Sequence, residues 1–395
     1  MSRAAWMEDS LKAADSLGTD GILAKLEPWI RQNSYSADVE RVNTMGKLLA
    51  KDFEGLGLKT DVHAGKEVGD HFLWSTQAWR DASGPKLLLV GHHDTVFPPG
   101  TFERWEIAEG KLHGPGVLDM KGGLSVVWAA LYSLHKAGVL ESVPLALLCV
   151  GDEEIGSIES HTLTASLAKQ AKAALVFEGG RTSDEIITRR KGTGSVGVVV
   201  KGKAAHAGNH HKDGINAIRA ISNFVEAAEQ ITNYEQGATV NVGLISGGEA
   251  RNTVPRHAEC HIDLRFLSED AGHDLVEKLK SIGEELSSPA EFSFSGGVRR
   301  PPLDRTKGSA KMFETYSAAA KSEGLGHSEC PLVGGGSDAN NVSAAGTPAI
   351  DGMGPRGRGF HTHKEHIEVD TLMPKVRTLL RFIADWDDLS QFLAD

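Results

Sequence analysis

The sequence predicts an α/β protein: a mainly parallel sheet flanked by helices, interrupted by an inserted α+β domain of ferredoxin-like order. Three observations carry this. Short, wholly apolar runs alternate with helical patterns through the first half, which implies parallel strands covered by helices. From about Arg189 the order becomes β-α-β-β-α-β, the split ferredoxin-like unit. The 395 residues also exceed the roughly 100–200 of a typical domain. The expected boundaries are 1–188 for the first part of the main domain, 189–302 for the insertion and 303–395 for the second part.

Helical spacing of three and four marks residues 20–31 and 36–56, as in Val39, Val42, Met45, Leu48, Leu49 and Phe53, with Gly55 as a stop. Lys86–Gly91, Pro144–Val150 and Ala173–Phe177 are apolar runs suited to strands buried on both faces. Helices fit about 121–137 and 160–171 between them. In the insertion, Ser195–Val200, Ala238–Ile245, His257–Phe266 and Glu291–Ser295 read as strands, with helices near 214–230 and 270–286. Polar and apolar residues alternate along His257–Phe266, so one face of that sheet meets water or a partner. After Arg300-Pro-Pro302 the α/β character returns, with a helix near 305–322, the loop Gly334–Asp338 and a closing helix from about 370.

Composition narrows the function. Apolar residues are 40% and charged residues 24% of the chain, ordinary for a folded globular protein. A formal charge of −11 argues against a general grip on nucleic acid or anionic membranes. Cys149, Cys260 and Cys330 are too few and too scattered for a disulfide framework, which suits a reducing compartment. No apolar stretch reaches the roughly 18 residues of a membrane span. The N-terminus has acidic residues where a secretory signal would be apolar. A cytoplasmic protein is expected.

The chemistry-bearing residues fall at strand ends. The three buried runs finish in Gly91-His92-His93-Asp94, Gly151-Asp152-Glu153-Glu154 and Glu178-Gly179-Gly180. Parallel sheets bind ligands at their carboxyl edge, so imidazoles and carboxylates converge there. Like charges resist ionisation in a shared site, and a divalent cation relieves them. His92 and Asp94, two apart on extended backbone, point the same way: His92 as a ligand, Asp94 as the group that orients its imidazole. Asp119 follows in Gly114-Pro-Gly-Val-Leu-Asp, where glycines permit close backbone approach.

With these residues in view, GHHDTV, GPGVLDMKGG, GDEEIGS, LVFEGG, KGKAAHAG, NTVP, GGGSDA and FHTHKEHI occur in an order that resembles the dinuclear zinc peptidases. That family includes bacterial glutamate (folate-cleaving) carboxypeptidases, aminoacylases and succinyl-diaminopimelate desuccinylase, and the resemblance is nearest to the first of these. It covers about residues 20–390. It implies two zinc ions per subunit, about 3.5–4 Å apart, with cobalt or manganese as substitutes. Asp119 would bridge them; His92 and Glu178 would complete one, Glu154 and His361 the other. His361 is preferred to the neighbouring His363 as the last ligand.

The resemblance further implies Glu153 as general base, His206 as a donor to the scissile carbonyl sent across a homodimer, and the insertion as the dimerisation and lid domain. Asn252, Arg265, Arg300 (or Arg299), Gly335 and Ser337 would hold the substrate carboxylate. It also implies a cis peptide after Asp119. The expected substrate is a short peptide or N-acyl amino acid with a free carboxylate, cleaved with release of the C-terminal residue. N-acyl amino acid deacylation is the alternative, and a metal-holding binding protein without catalysis is the reading from another class.

Overall fold

The computed structural model describes residues 3–393, which divide into two compact units. One comprises everything described up to Arg189, together with Asp304–Leu332 and Ser337 onward; the other is Arg190–Leu303 with the short segment Val333–Gly336. The chain therefore leaves the first unit twice, once for the long insertion and again for four residues of the glycine loop.

The first unit is built on a six-stranded sheet in the order Lys59–His63, His71–Ser75, Leu145–Val150, Leu87–His92, Ala173–Val176, Ala349–Asp351. The last four strands pair in parallel and the first two antiparallel. Leu87–His92 lies between two parallel neighbours and is buried along its whole length, which its apolar run requires. Two flanking groups of helices cover the sheet: Arg3–Arg31, Gly122–Lys136, Lys307–Ser322 and Leu372–Ala384 in one, Ser160–Ala168 and Asp338–Ala344 in the other. Helix Val39–Glu54 starts where the Asp38 side chain accepts the Arg41 N–H. While Val39 in its first turn is exposed and Leu48 is half-buried, it buries Val42, Met45, Leu49 and Phe53 of the forecast stripe. Each such side chain contributes about 1.5–3 kcal/mol through removal from water.

Helix Gly122–Lys136 can begin directly behind the strand ends because Gly123 lacks a side chain: a Cβ there would stand 2.0 Å from the Phe177 carbonyl oxygen. That close approach sets Asp119 beside Glu178. The first helix starts at Arg3 rather than near 20, and it is broken at Gly18, which takes a left-handed φ of 64°. A second sheet in this unit is absent from the sequence reading: Gly357–Arg358, His366–Glu368, Lys111–His113 and Glu106–Ala108 pair antiparallel. Strands of two or three residues carry no periodicity.

The second unit is a four-stranded antiparallel sheet in the order Thr239–Gly247, His257–Phe266, Gly192–Lys201, Glu291–Arg300. Helices Ala217–Glu229 and Glu269–Leu286 pack on it. Ala258, Cys260, Ile262, Leu264 and Phe266 point into its core, so the alternation along that strand has the expected sense. The last strand runs five residues past Ser295, through Gly296 and Gly297 at positive φ, which read as breakers in sequence.

Candidate metal centre

In the first unit, two groups of donors share one residue. His92, Asp119 and Glu178 place ligand atoms within 4.8 Å of one another, and so do Asp119, Glu154 and His361. His92 Nε2 is 3.2 Å from Asp119 Oδ1 and 3.8 Å from Glu178 Oε2. His361 Nε2 is 3.2 Å from Asp119 Oδ2 and 3.2 Å from Glu154 Oε2. The two oxygens of Asp119 thus face different groups.

Each donor has a local reason for its place. His92 ends the central strand, Glu178 follows Ala173–Val176, and Glu153–Ile155 form a single 3-10 turn after Leu145–Val150. Asp94, fully buried, ties two of these ends together. Its Oδ1 accepts the Glu153 N–H at 3.2 Å, and its Oδ2 accepts the Glu154 N–H at 3.1 Å and the Ser36 hydroxyl at 2.7 Å. His92 Nδ1 lies 3.0 Å from the Asp94 carbonyl oxygen and 3.3 Å from Oδ1. Asp94 thus orients His92 with its main chain as well as its carboxylate. His93 turns the other way, edge-on to Phe72, with Nδ1 3.4 Å from Cys149 Sγ. His361 sits at φ 59° in the loop joining Gly357–Arg358 to His366–Glu368, so the small sheet delivers it. The Asp119–Met120 peptide is cis.

Burial and mutual charge dominate the electrostatics of these groups. Burial pushes Glu178 up to about 8 against the pull of His92. Burial and the charge of Asp119 carry Glu154 well above the carboxylate range. Asp119 resists burial because His361 and His92 both bond to it, and it ends below that range. Hydrogen bonds to Asp119 and Glu154 raise His361 to about 10. Glu154 Oε1 is buried with no hydrogen-bond partner. An orphaned carboxylate oxygen in a donor set with two more carboxylates and two imidazoles fits divalent cations of the zinc type. Glu153 is buried, and its charge acts on both Glu154 and Glu178.

A model of the peptidase family M20/M25/M40 matches residues 88–385. The chain belongs to this family. With it comes the enzyme class: a metallopeptidase or amidohydrolase of the M20 type, for which a dinuclear zinc site is typical. Carboxypeptidase G2 of Pseudomonas sp. (strain RS-16) is 28% identical over 373 residues, covering 92% of this chain and 89% of that protein. Succinyl-diaminopimelate desuccinylase of Delftia acidovorans is 25% identical over 323 residues, covering 76% and 82%. Among solved structures, a tripeptidase from Staphylococcus aureus superposes with a TM-score of 0.79 at 19% identity, covering 95% of this chain and 99% of that one. An M20 family metallo-carboxypeptidase from Sulfolobus solfataricus gives 0.76 at 18% identity, covering 93% and 99%. These two establish a shared fold.

The remaining sequence-predicted residues lie mostly in the other unit. His206 and Asn252 are neighbours there across a two-stranded ribbon: Thr253 pairs with His206, and the Ala207 N–H donates to the Asn252 carbonyl at 2.9 Å. Arg265 carries an ion pair. Its guanidinium is held by both carboxylate oxygens of Asp263 at 2.7 and 2.8 Å, so its charge is already answered. Arg300 is buried, and the Gly335 carbonyl accepts from Arg190 at 3.0 Å. Ser337 lies in the first unit. Its hydroxyl donates to Asp351 Oδ2 at 2.6 Å and caps helix Asp338–Ala344, which leaves no proton for an anion.

Sequence reasoning missed two buried residues beside Asp119. Glu365 accepts the N–H groups of Leu118, Asp119 and Gly116 at 2.8, 3.0 and 3.2 Å. Lys121 Nζ donates to the Trp29 and Gln32 carbonyls at 3.0 and 2.9 Å, and burial pulls it down to about 7. The only signal for either was a charged residue inside a motif read for other members. Among the described residues no helix is long and apolar enough to cross a membrane.

Proposed function

We propose that the protein is a zinc-dependent carboxypeptidase that releases a C-terminal amino acid, of the glutamate type, from short peptides or N-acyl amino acids. The observation that carries this reading is the pair of donor triads sharing Asp119. The likeness to carboxypeptidase G2 supports the choice of bond and end.

In this reading His92, Asp119 and Glu178 hold one Zn²⁺, and Asp119, Glu154 and His361 the other, with Co²⁺ or Mn²⁺ as substitutes. Bound there, divalent cations polarise the scissile carbonyl and lower the pKa of water. Glu153, not among the donors, takes the proton of the attacking water and passes it to the departing nitrogen. Asp94 keeps the His92 imidazole in one orientation and fixes the turn that separates Glu153 from Glu154. His206 donates to the developing oxyanion. Its Nδ1 accepts the Gly208 and Asn209 N–H groups, both at 3.1 Å, which leaves the proton on Nε2 as that donor. Asn252, Arg300 and the Gly334–Gly336 backbone receive the substrate carboxylate, with Arg265 contributing through its pair with Asp263.

The insertion acts as the dimerisation and lid unit of a homodimer, and the protein works in the cytoplasm. The desuccinylase relatives favour a second reading, N-deacylation of an amino acid, on the same site.

The test is metal analysis followed by a panel of N-acyl amino acids and dipeptides varied at the carboxyl-terminal residue, read by mass spectrometry with zinc present. Preferred release of C-terminal glutamate supports the proposal. Turnover governed by the acyl group and indifferent to the C-terminal residue selects deacylation, and no turnover with zinc bound overturns both.

A further inference from the structure

Glu365 is fully buried, yet its carboxylate faces three backbone N–H groups from residues nearly 250 positions away. Those donors belong to the turn that presents Asp119. The turn is irregular: Gly116 takes φ 71°, and Asp119 and Met120 depart from helical angles. An irregular buried turn needs acceptors from elsewhere, because an unpaired buried N–H costs about as much as a lost hydrogen bond. Glu365 supplies them in one side chain.

A further negative charge behind Asp119 is costly in a pocket already crowded with carboxylates. Electrostatics alone therefore gives no reason for a glutamate here, whereas the three N–H groups do. The same loop, Gly359–Glu365, also carries His361, whose Nε2 reaches Asp119 Oδ2. One short segment thus grips Asp119 twice, by its backbone through Glu365 and by its carboxylate through His361. On the far side of Asp119, Lys121 pins the turn to the Trp29 and Gln32 carbonyls.

We infer that Glu365 is a positioning residue that organises the Gly116–Asp119 turn before any cation binds, so that Asp119 can serve two ions without reorganising. The inference rests on the dinuclear reading above for its purpose, though not for its first test.

That test is amide hydrogen exchange on the full chain stripped of metal. The Leu118 and Asp119 amides are expected to be protected, and in Glu365→Gln to exchange at least tenfold faster while Leu88–Val90 stay unchanged. Free exchange of Leu118 and Asp119 in the metal-free wild type overturns the inference, and this measurement decides alone should the variant not fold. The second readout is Co²⁺ titration followed by visible absorption. By analogy with groups that orient ligands elsewhere, Glu365→Gln is expected to bind about 10–100-fold more weakly, with an altered spectrum. Wild-type affinity and spectrum in the variant overturn it. A wild-type chain that takes up fewer than two Co²⁺ sinks the dinuclear reading instead, and the exchange result then stands by itself.

Discussion

Asp94 Oδ2 accepts the backbone N–H of Glu154 at 3.1 Å, while its other oxygen takes that of Glu153. One buried carboxylate therefore holds the turn from which two acidic side chains diverge. An asparagine has only one acceptor oxygen and would turn its NH₂ toward one of these donors or toward His92. Asp94→Asn is expected to weaken zinc binding about 10–100-fold and to lower kcat/KM in parallel, measured by equilibrium dialysis and steady-state kinetics.

Glu153 should separate catalysis from metal binding. Glu153→Gln keeps shape and volume but cannot carry a proton between water and nitrogen. A fall in kcat of about 10²–10⁴-fold is expected, with zinc content and melting temperature unchanged. Equal turnover by both forms would show that another group is the base.

Protons and cations compete for the same donors. At neutral pH without metal, His361, raised to about 10, and Glu178, raised to about 8, hold protons. Metal needs neutral imidazole and ionised carboxylate, so binding must release protons and strengthen as pH rises. Both folded values lie above the ordinary ones. Their contribution to the metal-free fold is therefore complete at low pH, falls from about pH 4.5 as Glu178 would ionise, and is lost as His361 titrates near 10. Calorimetry of zinc binding in two buffers of unlike ionisation enthalpy should give a net release at about pH 7. These two groups should lower the melting temperature of chelated protein between about pH 5 and 8, a fall that Glu178→Gln should lessen.

Buried Asp184 pairs with two cations away from the metal centre. Arg356 Nη1 lies 3.2 Å from its Oδ2 and Lys375 Nζ 3.8 Å from its Oδ1, with Lys375 pulled down to about 8 by burial. Asp184→Asn preserves the φ of 54°, which asparagine tolerates, but takes the buried negative charge away from both cations. It is expected to cost about 3–5 kcal/mol, seen as a large drop in melting temperature. Lys375→Met should cost far less, since Arg356 still answers the Asp184 charge.

Much of the site was legible because buried parallel strands announce themselves as apolar runs, and the residues just beyond such strands must lie at one sheet edge. His92, Glu154 and Glu178 were found that way, with Asp119 from its glycines and His361 from motif order. Glu365 was not, because a buried glutamate and a surface glutamate look alike until its three N–H donors are in place. The ion pair of Arg265 was hidden for a similar reason. Asp263 two residues earlier gives no sign in sequence of which way it leans.

The histidines near the C-terminus mark the boundary between the two kinds of information. His361, His363 and His366 have the same chemistry within six positions. In the fold they part: His361 reaches Asp119, 242 residues away; His363 stacks on Phe102; and His366 pairs with His113 in the small sheet. Local pattern determines which residue types end each strand, because side-chain direction and burial follow the backbone period. Which of several equal donors meets a distant carboxylate depends on how a hairpin is registered and where its loop turns. That register is stabilised by contacts between segments far apart in the chain, so it exists only once they have packed.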